Sequence, residues 1–182
     1  VSSLTIAAPT SSTSFDTGYT DSHLNLSISN DGKKFHILDR GDKTLKQIKL
    51  TTVYDLSTAS YESKSYNANT QLASGGEAVA FKPDGTKMFI LSNSGSYGDD
   101  VFRYSLSTAW DVSTASYDSN TVDVEAQETG TTGLALNSDG TKLFILGDSS
   151  GEVLVWNMST AYDLSTASYD SSESLDTSGQ DN

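Results

Sequence analysis

Apolar residues along this chain fall into short blocks that recur three times in one order. Each series opens with Leu26 and Ile28, Val79 and Phe81, or Leu134 and Leu136, alternating with small or polar Ser27, Ala80 and Ala135. Period-two alternation predicts a strand with one bulky and one small face. A turn follows at Asn30-Asp31-Gly32, Pro83-Asp84-Gly85 and Ser138-Asp139-Gly140. Asp-Gly supplies a residue able to adopt positive φ, which predicts a tight hairpin closed by a glycine bulge. The second block, at 35–38, 88–91 and 143–146, is apolar or aromatic at four consecutive positions, with His36 where the sister repeats carry Phe89 and Phe144. Such a run suits a strand buried on both faces. Third strands are expected over Leu45–Leu50, Val101–Leu106 and Val153–Met158, with Ile48, Tyr104 and Trp156 in equivalent slots.

Each series closes on an aromatic-Asp pair (Tyr54-Asp55, Trp110-Asp111, Tyr162-Asp163) and a Ser-Thr-Ala-Ser-Tyr run ending at Tyr61, Tyr117 or Tyr169. This reads as a structured loop with one or two helical turns capped by Ser, Thr or Asp. A fourth strand follows, clearest at Ser119–Glu125. Each repeat is thus a four-stranded antiparallel unit that cannot bury both faces alone.

Gly32, Gly85 and Gly140 lie 53 and 55 residues apart, a spacing typical of propeller or solenoid units. The expected fold is all-β: a β-propeller of four-stranded antiparallel blades forming a single region over 1–182. Its repeats run approximately 20–70, 71–126 and 127–176, with 1–19 the outer strand and linker of a preceding blade. The segment from Glu77 to Leu91, with its Pro83-Asp84-Gly85 turn, followed by Val101-Phe102-Arg103-Tyr104, resembles the YVTN, TolB-like and NHL-like β-propeller repeats. That resemblance implies blade architecture along the whole chain. It leaves function open, because those families include binders, scaffolds, adhesins and some enzymes.

Three blades do not close a ring, since propellers use about four to eight. Either the chain belongs to a longer propeller, or two copies associate head to tail as a homodimer with six blades. Charge distribution favours pairing of ends. Lys33, Lys34, Arg40, Lys43, Lys46 and Lys49 fall in the first repeat, whereas the chain after Lys142 is acidic only. A positive edge and a negative edge would attract each other.

Composition narrows the function classes. The net charge of −13 argues against nucleic acid, and no apolar run approaches the ~20 residues that cross a bilayer. With no cysteine there is neither a disulfide framework nor a zinc-thiolate site. The acidic, Ser/Thr-rich surface is compatible with an extracellular or cell-surface location. Without an initiator Met or signal-like start, Val1 is expected to be a processed end or a cut within a longer protein.

Candidate chemistry is sparse. His36 is expected to fill an aromatic core slot. His23 lies at the entry to an innermost strand, where it could line a central pocket. Neither a Ser-His-Asp triad nor a transition-metal cluster is supported, and no catalytic residue stands out. The loops between second and third strands are richer: Asp39, Arg40 and Asp42 in the first repeat, Tyr97, Asp99 and Asp100 in the second, Asp148 and Glu152 in the third. Clustered carboxylates among glycines suit calcium, with Asp99 and Asp100 as candidate ligands, although no known calcium-loop spacing is matched. Arg40-Gly41-Asp42 has the form of a cell-attachment tripeptide but is also ordinary turn chemistry. Asn25-Leu26-Ser27 and Asn157-Met158-Ser159 match the N-glycosylation pattern within expected strands.

The Asp-Gly turns and Ser-Thr-Ala connections barely vary between repeats, so their face is expected to be scaffold. The opposite face carries the variable loops and is the expected recognition surface. The first functional reading is therefore a non-enzymatic binding or structural module, taking a carbohydrate or protein ligand in surface adhesion. The second is a segment of a hydrolase or lyase with a carboxylate active site on the variable face. A third is a pure oligomerisation module.

Overall fold

The computed structural model describes residues 24–72, 75–93 and 99–177. Among them, three four-stranded antiparallel sheets follow one another, each with its strands paired in chain order. The first blade holds β1 (Leu24–Ile28), β2 (Lys34–Asp39), β3 (Thr44–Leu50) and β4 (Ala59–Asn67). The second holds β5 (Gly76–Phe81), β6 (Lys87–Ser92), β7 (Asp100–Leu106) and β8 (Ala115–Asp123). The third holds β9 (Thr131–Leu136), β10 (Lys142–Gly147), β11 (Glu152–Met158) and β12 (Ala167–Asp176). The first strands β1, β5 and β9 lie side by side along the inner edge. Asn25 bridges two of them, its side-chain oxygen accepting from Val79 N–H at 3.1 Å. The molecule is an all-β partial propeller.

The core lies between blades, as the doubly apolar second strands require. Met88 and Ile90 of β6 pack toward the first blade with Leu38, Leu45, Leu72 and Tyr104. Phe89 and Leu91, one residue out of phase, pack toward the third with Val101, Leu143, Ile145 and Trp156. A strand buried on both faces removes apolar surface twice over, at roughly 1.5–3 kcal/mol per large side chain.

Glycines in the Asp-Gly turns serve two purposes. Gly32, Gly85 and Gly140 take φ of 65°, 72° and 71°, closing each hairpin as expected. They also seat the aromatic of their own repeat: a Cβ on Gly85 would lie 2.4 Å from the Trp110 ring, and one on Gly140 as close to Tyr162. Tyr54, Trp110 and Tyr162 themselves adopt positive φ and donate N–H to the carbonyls of Gly32, Gly85 and Gly140 at 2.8–3.0 Å. The following Asp caps a 3-10 turn, with Asp55, Asp111 and Asp163 accepting from Ser57, Ser113 and Ser165 N–H.

The fourth strands begin earlier than the sequence suggested. Ala59, Ala115 and Ala167 already pair with β3, β7 and β11, and the helical turns shrink to three residues. A bulge at Glu62-Ser63 and Asp118-Ser119, with Ser63 and Ser119 at φ 57°, lets the tyrosine pair before the strand re-registers.

Candidate functional site

The variable-face loops separate into two groups. In the first blade Asp39 is buried and accepts Asp42 N–H at 3.0 Å, which closes the turn to β3. Arg40 reaches Glu77 of the next blade at 2.8 Å. Arg40 is thus tied to the blade junction, while Gly41 and Asp42 remain exposed at the turn. His23 and Tyr97 lie outside the described residues.

The second group gathers where the second and third blades meet. Asp99 is buried; its carboxylate accepts Thr131 N–H of β9 at 3.1 Å, and its carbonyl accepts Val124 N–H at 2.8 Å. Asp99 thus stitches blades together rather than facing outward. Asp100 stands opposite Asp123 across β7 and β8. Partial burial, together with the charges of Asp123, Asp99 and Glu125, pushes its carboxyl up to about 6. Among the described residues no cluster of three or more His, Cys, Asp or Glu side chains is arranged to hold a metal ion.

Glu125 belongs to both this acidic rim and the adjoining cavity. The cavity measures about 250 Å³ and is lined by residues 125–129 with Ser149 and Ser150. Asp148 and Glu152 flank it on the third blade, where Asp148 N–H donates to Gly130 O at 2.7 Å. Beneath it Glu128 is 3% exposed. Burial would raise its carboxyl, but hydrogen bonds from Ser150, Gly130 N–H and Ser149 hold it below the ordinary range. Gly130 N–H is at 2.8 Å and Ser150 N–H at 3.1 Å.

Glu128 is the residue that the sequence reading missed. The turn from Ala68 to Leu72 and the turn from Val124 to Glu128 make the same hydrogen bonds, so Glu128 occupies the place of buried Leu72. A carboxylate in a leucine slot needs space and donors. Gly147 supplies the space, since a Cβ there would fall on the Glu128 carboxylate, 2.0 Å from Oε2. The signal was present in the repeat alignment, as an acid where the first repeat carries Leu72.

The fold and rim define a partial propeller with acidic chemistry at one blade junction. Among solved structures, the chain is similar to a candidate 6-phosphogluconolactonase from Bacteroides fragilis, with TM-score 0.57 and 12% identity over 83% of this chain and 38% of that one. It is also similar to a functionally unknown protein from Desulfotomaculum acetoxidans (TM-score 0.54, 18% identity, 87% of this chain and 47% of that one). A third is the periplasmic gluconolactonase of Pseudomonas aeruginosa (TM-score 0.50, 16% identity, 84% and 41%). The chain thus spans less than half the length of these structures, and the likeness shows the propeller-type fold. No protein-family model matches it, and no curated protein matches it in sequence.

These neighbours correct the first functional reading. Two of the three named above are lactonases by name, one of them as a candidate, and none is named as an adhesin, so the non-enzymatic reading placed first is not the one these neighbours favour.

Proposed function

We propose that this chain forms three blades of a propeller hydrolase that opens the ring ester of a sugar lactone. The carrying observation is a pair of carboxyls driven apart in acidity at one junction. Asp100 is raised to about 6, and Glu128 is held ionised by hydrogen bonds from the Ser150 side chain and from backbone N–H groups. The two take different roles: Asp100 exchanges protons, and Glu128 stays ionised as a hydrogen-bond acceptor. Above pH ~6 the ionised Asp100 takes a proton from water as its oxygen attacks the lactone carbonyl. The ring C–O bond then breaks, protonated Asp100 returns that proton to the leaving alkoxide, and a hydroxy acid departs. Glu125 and Glu128 accept hydrogen bonds from sugar hydroxyls in the adjoining cavity.

The substrate is an uncharged lactone of the gluconolactone kind rather than its 6-phosphate. Asp99, Asp100, Asp123, Glu125, Glu128 and Asp148 share this junction, and the chain carries net −13. A phosphate dianion would be repelled there. Ring opening of glucono-δ-lactone and of its 6-phosphate, corrected for spontaneous hydrolysis, tests the reading. The expected result is turnover of the neutral lactone, lost by at least ~100-fold in Asp100→Asn. Buffer-level rates for the 182-residue chain, or an Asp100→Asn variant as fast as wild type, would overturn it.

A further inference from the structure

The two blade junctions share a latch, and its two halves can be followed to the chain's open faces. In the first junction Gln47 of β3 accepts Val112 N–H at 3.1 Å, while Lys64 of β4 meets the capping carboxylate of Asp111 at 2.7 Å. In the second, Asn120 of β8 does both tasks, accepting Leu164 N–H at 2.8 Å and donating to Asp163 at 2.6 Å. Arg103 of β7 adds a bond to Tyr162 O at 2.8 Å. One blade therefore offers a cap carboxylate and the N–H after it, and its neighbour offers a carboxamide or cation. The apolar residue at the latch is sealed by this contact: Val112 is 0% exposed and Leu164 1%.

The first blade carries the same accepting half on its open face. Asp55 caps its turn, Leu56 follows, and among the described residues nothing accepts from Leu56 N–H. Leu56 is 41% exposed and Tyr54 63%, against 7% for Tyr162 in the sealed junction. Leu26, Ile28 and Tyr61 extend the uncovered apolar area beside them.

The third blade's open face does not carry the giving half. Val155, opposite Phe144 on β10, stands where Gln47 and Arg103 stand, but it is only 3% exposed and presents no polar group. Beyond its bulge, β12 runs one residue out of step with β4 and β8, pairing Leu154 with Ser174. That shift puts Glu173 in the place of Lys64 and Asn120, and Glu173 is bound to Lys142. Ser172 and Asn157 are spent on Asp170. A glutamate brought to the Asp55 carboxylate repels it, and a valine cannot accept from Leu56 N–H.

We infer that the open face of the first blade is a docking site for a propeller blade bearing an amide or cationic side chain at the Gln47 and Lys64 positions, and that the third blade of a second copy is excluded from it. The charge match at Asp55 and the continuity with two formed junctions assign this occupant. The inference does not depend on the proposed lactonase chemistry.

Sedimentation equilibrium of the 182-residue chain tests it by grafting. Val155→Gln with Glu173→Lys installs the missing half on the third blade. The expected result is at least a tenfold tighter self-association than wild type, abolished when Leu56→Asp or Asp55→Ala is added. Circular dichroism and melting temperature verify that each variant is folded before it is weighed. A wild-type dimer that Leu56→Asp dissolves would overturn the inference. So would a folded graft variant no more associated than wild type, or one whose association survives both added substitutions.

Discussion

His36 sets a pH-dependent stability that its sister repeats lack. Its ring is fully buried, 4.5 Å from the Phe81 ring centroid and 6.0 Å from that of Trp110. Nε2 lies 3.4 Å from Trp110 O. Burial, aided by the charge of Lys34, lowers its pKa from 6.5 to about 4. The unfolded chain therefore binds a proton between those values and the folded chain does not, so stability is lost as pH falls through that window. Between pH ~7.5 and ~4.5 this one group removes about 2.5 kcal/mol. For His36→Phe, the residue type used at Phe89 and Phe144, the neutral-pH stability should stay within about 1 kcal/mol of wild type. Urea midpoints at the two pH values give the test as a double difference, since the carboxylates respond to acid in both proteins. The variant should lose about 2.5 kcal/mol less than wild type on acidification. Equal losses in the two proteins would refute the reasoning and mean that His36 accepts a proton in the fold.

Further outcomes follow from the same geometry. Asp100→Asn should raise the melting temperature at pH 8 and change it far less near pH 4, because a carboxyl raised from 3.8 to about 6 costs stability progressively as pH rises between those values and in full above them. Gly85→Ala meets the Trp110 ring at 2.4 Å and strains a φ of +72°, so chemical denaturation should show a loss of at least ~2 kcal/mol. Asp111→Ala removes a cap and strands Lys64, with an expected loss of ~1–2 kcal/mol. Asp55→Ala removes only a cap on an open face and should cost about half as much, read from the same denaturation curves.

Blade architecture was legible because it rests on local signals. Period-two alternation, Asp-Gly turns and doubly apolar second strands each restrict the backbone within a few residues, and three repetitions reinforce one another. The start of the fourth strands was misplaced because the bulge at Ser63 and Ser119 depends on pairing with β3 and β7, which no local pattern announces. The acidic junction was half visible. Asp99 and Asp100 stood out as a cluster, but their division of labour, one stitching blades and one left half-buried opposite Asp123, comes from the contact of Asp99 with Thr131 of the next blade and from the pairing of β7 with β8. Glu128 was hidden among ordinary loop acids until its equivalence to Leu72 appeared. Function was the least legible, since a carboxylate's acidity is set by neighbours distant in sequence.

The proposed function stands or falls on carboxylate chemistry at the junction of the second and third blades, acting on a neutral lactone. The pH–rate profile of glucono-δ-lactone opening tests it most directly, with spontaneous hydrolysis subtracted at each pH. Proton exchange by Asp100 predicts a rate that rises through an inflection near its value of about 6 and is lost in Asp100→Asn. A profile flat across that range, or one that Asp100→Asn leaves in place, would contradict it.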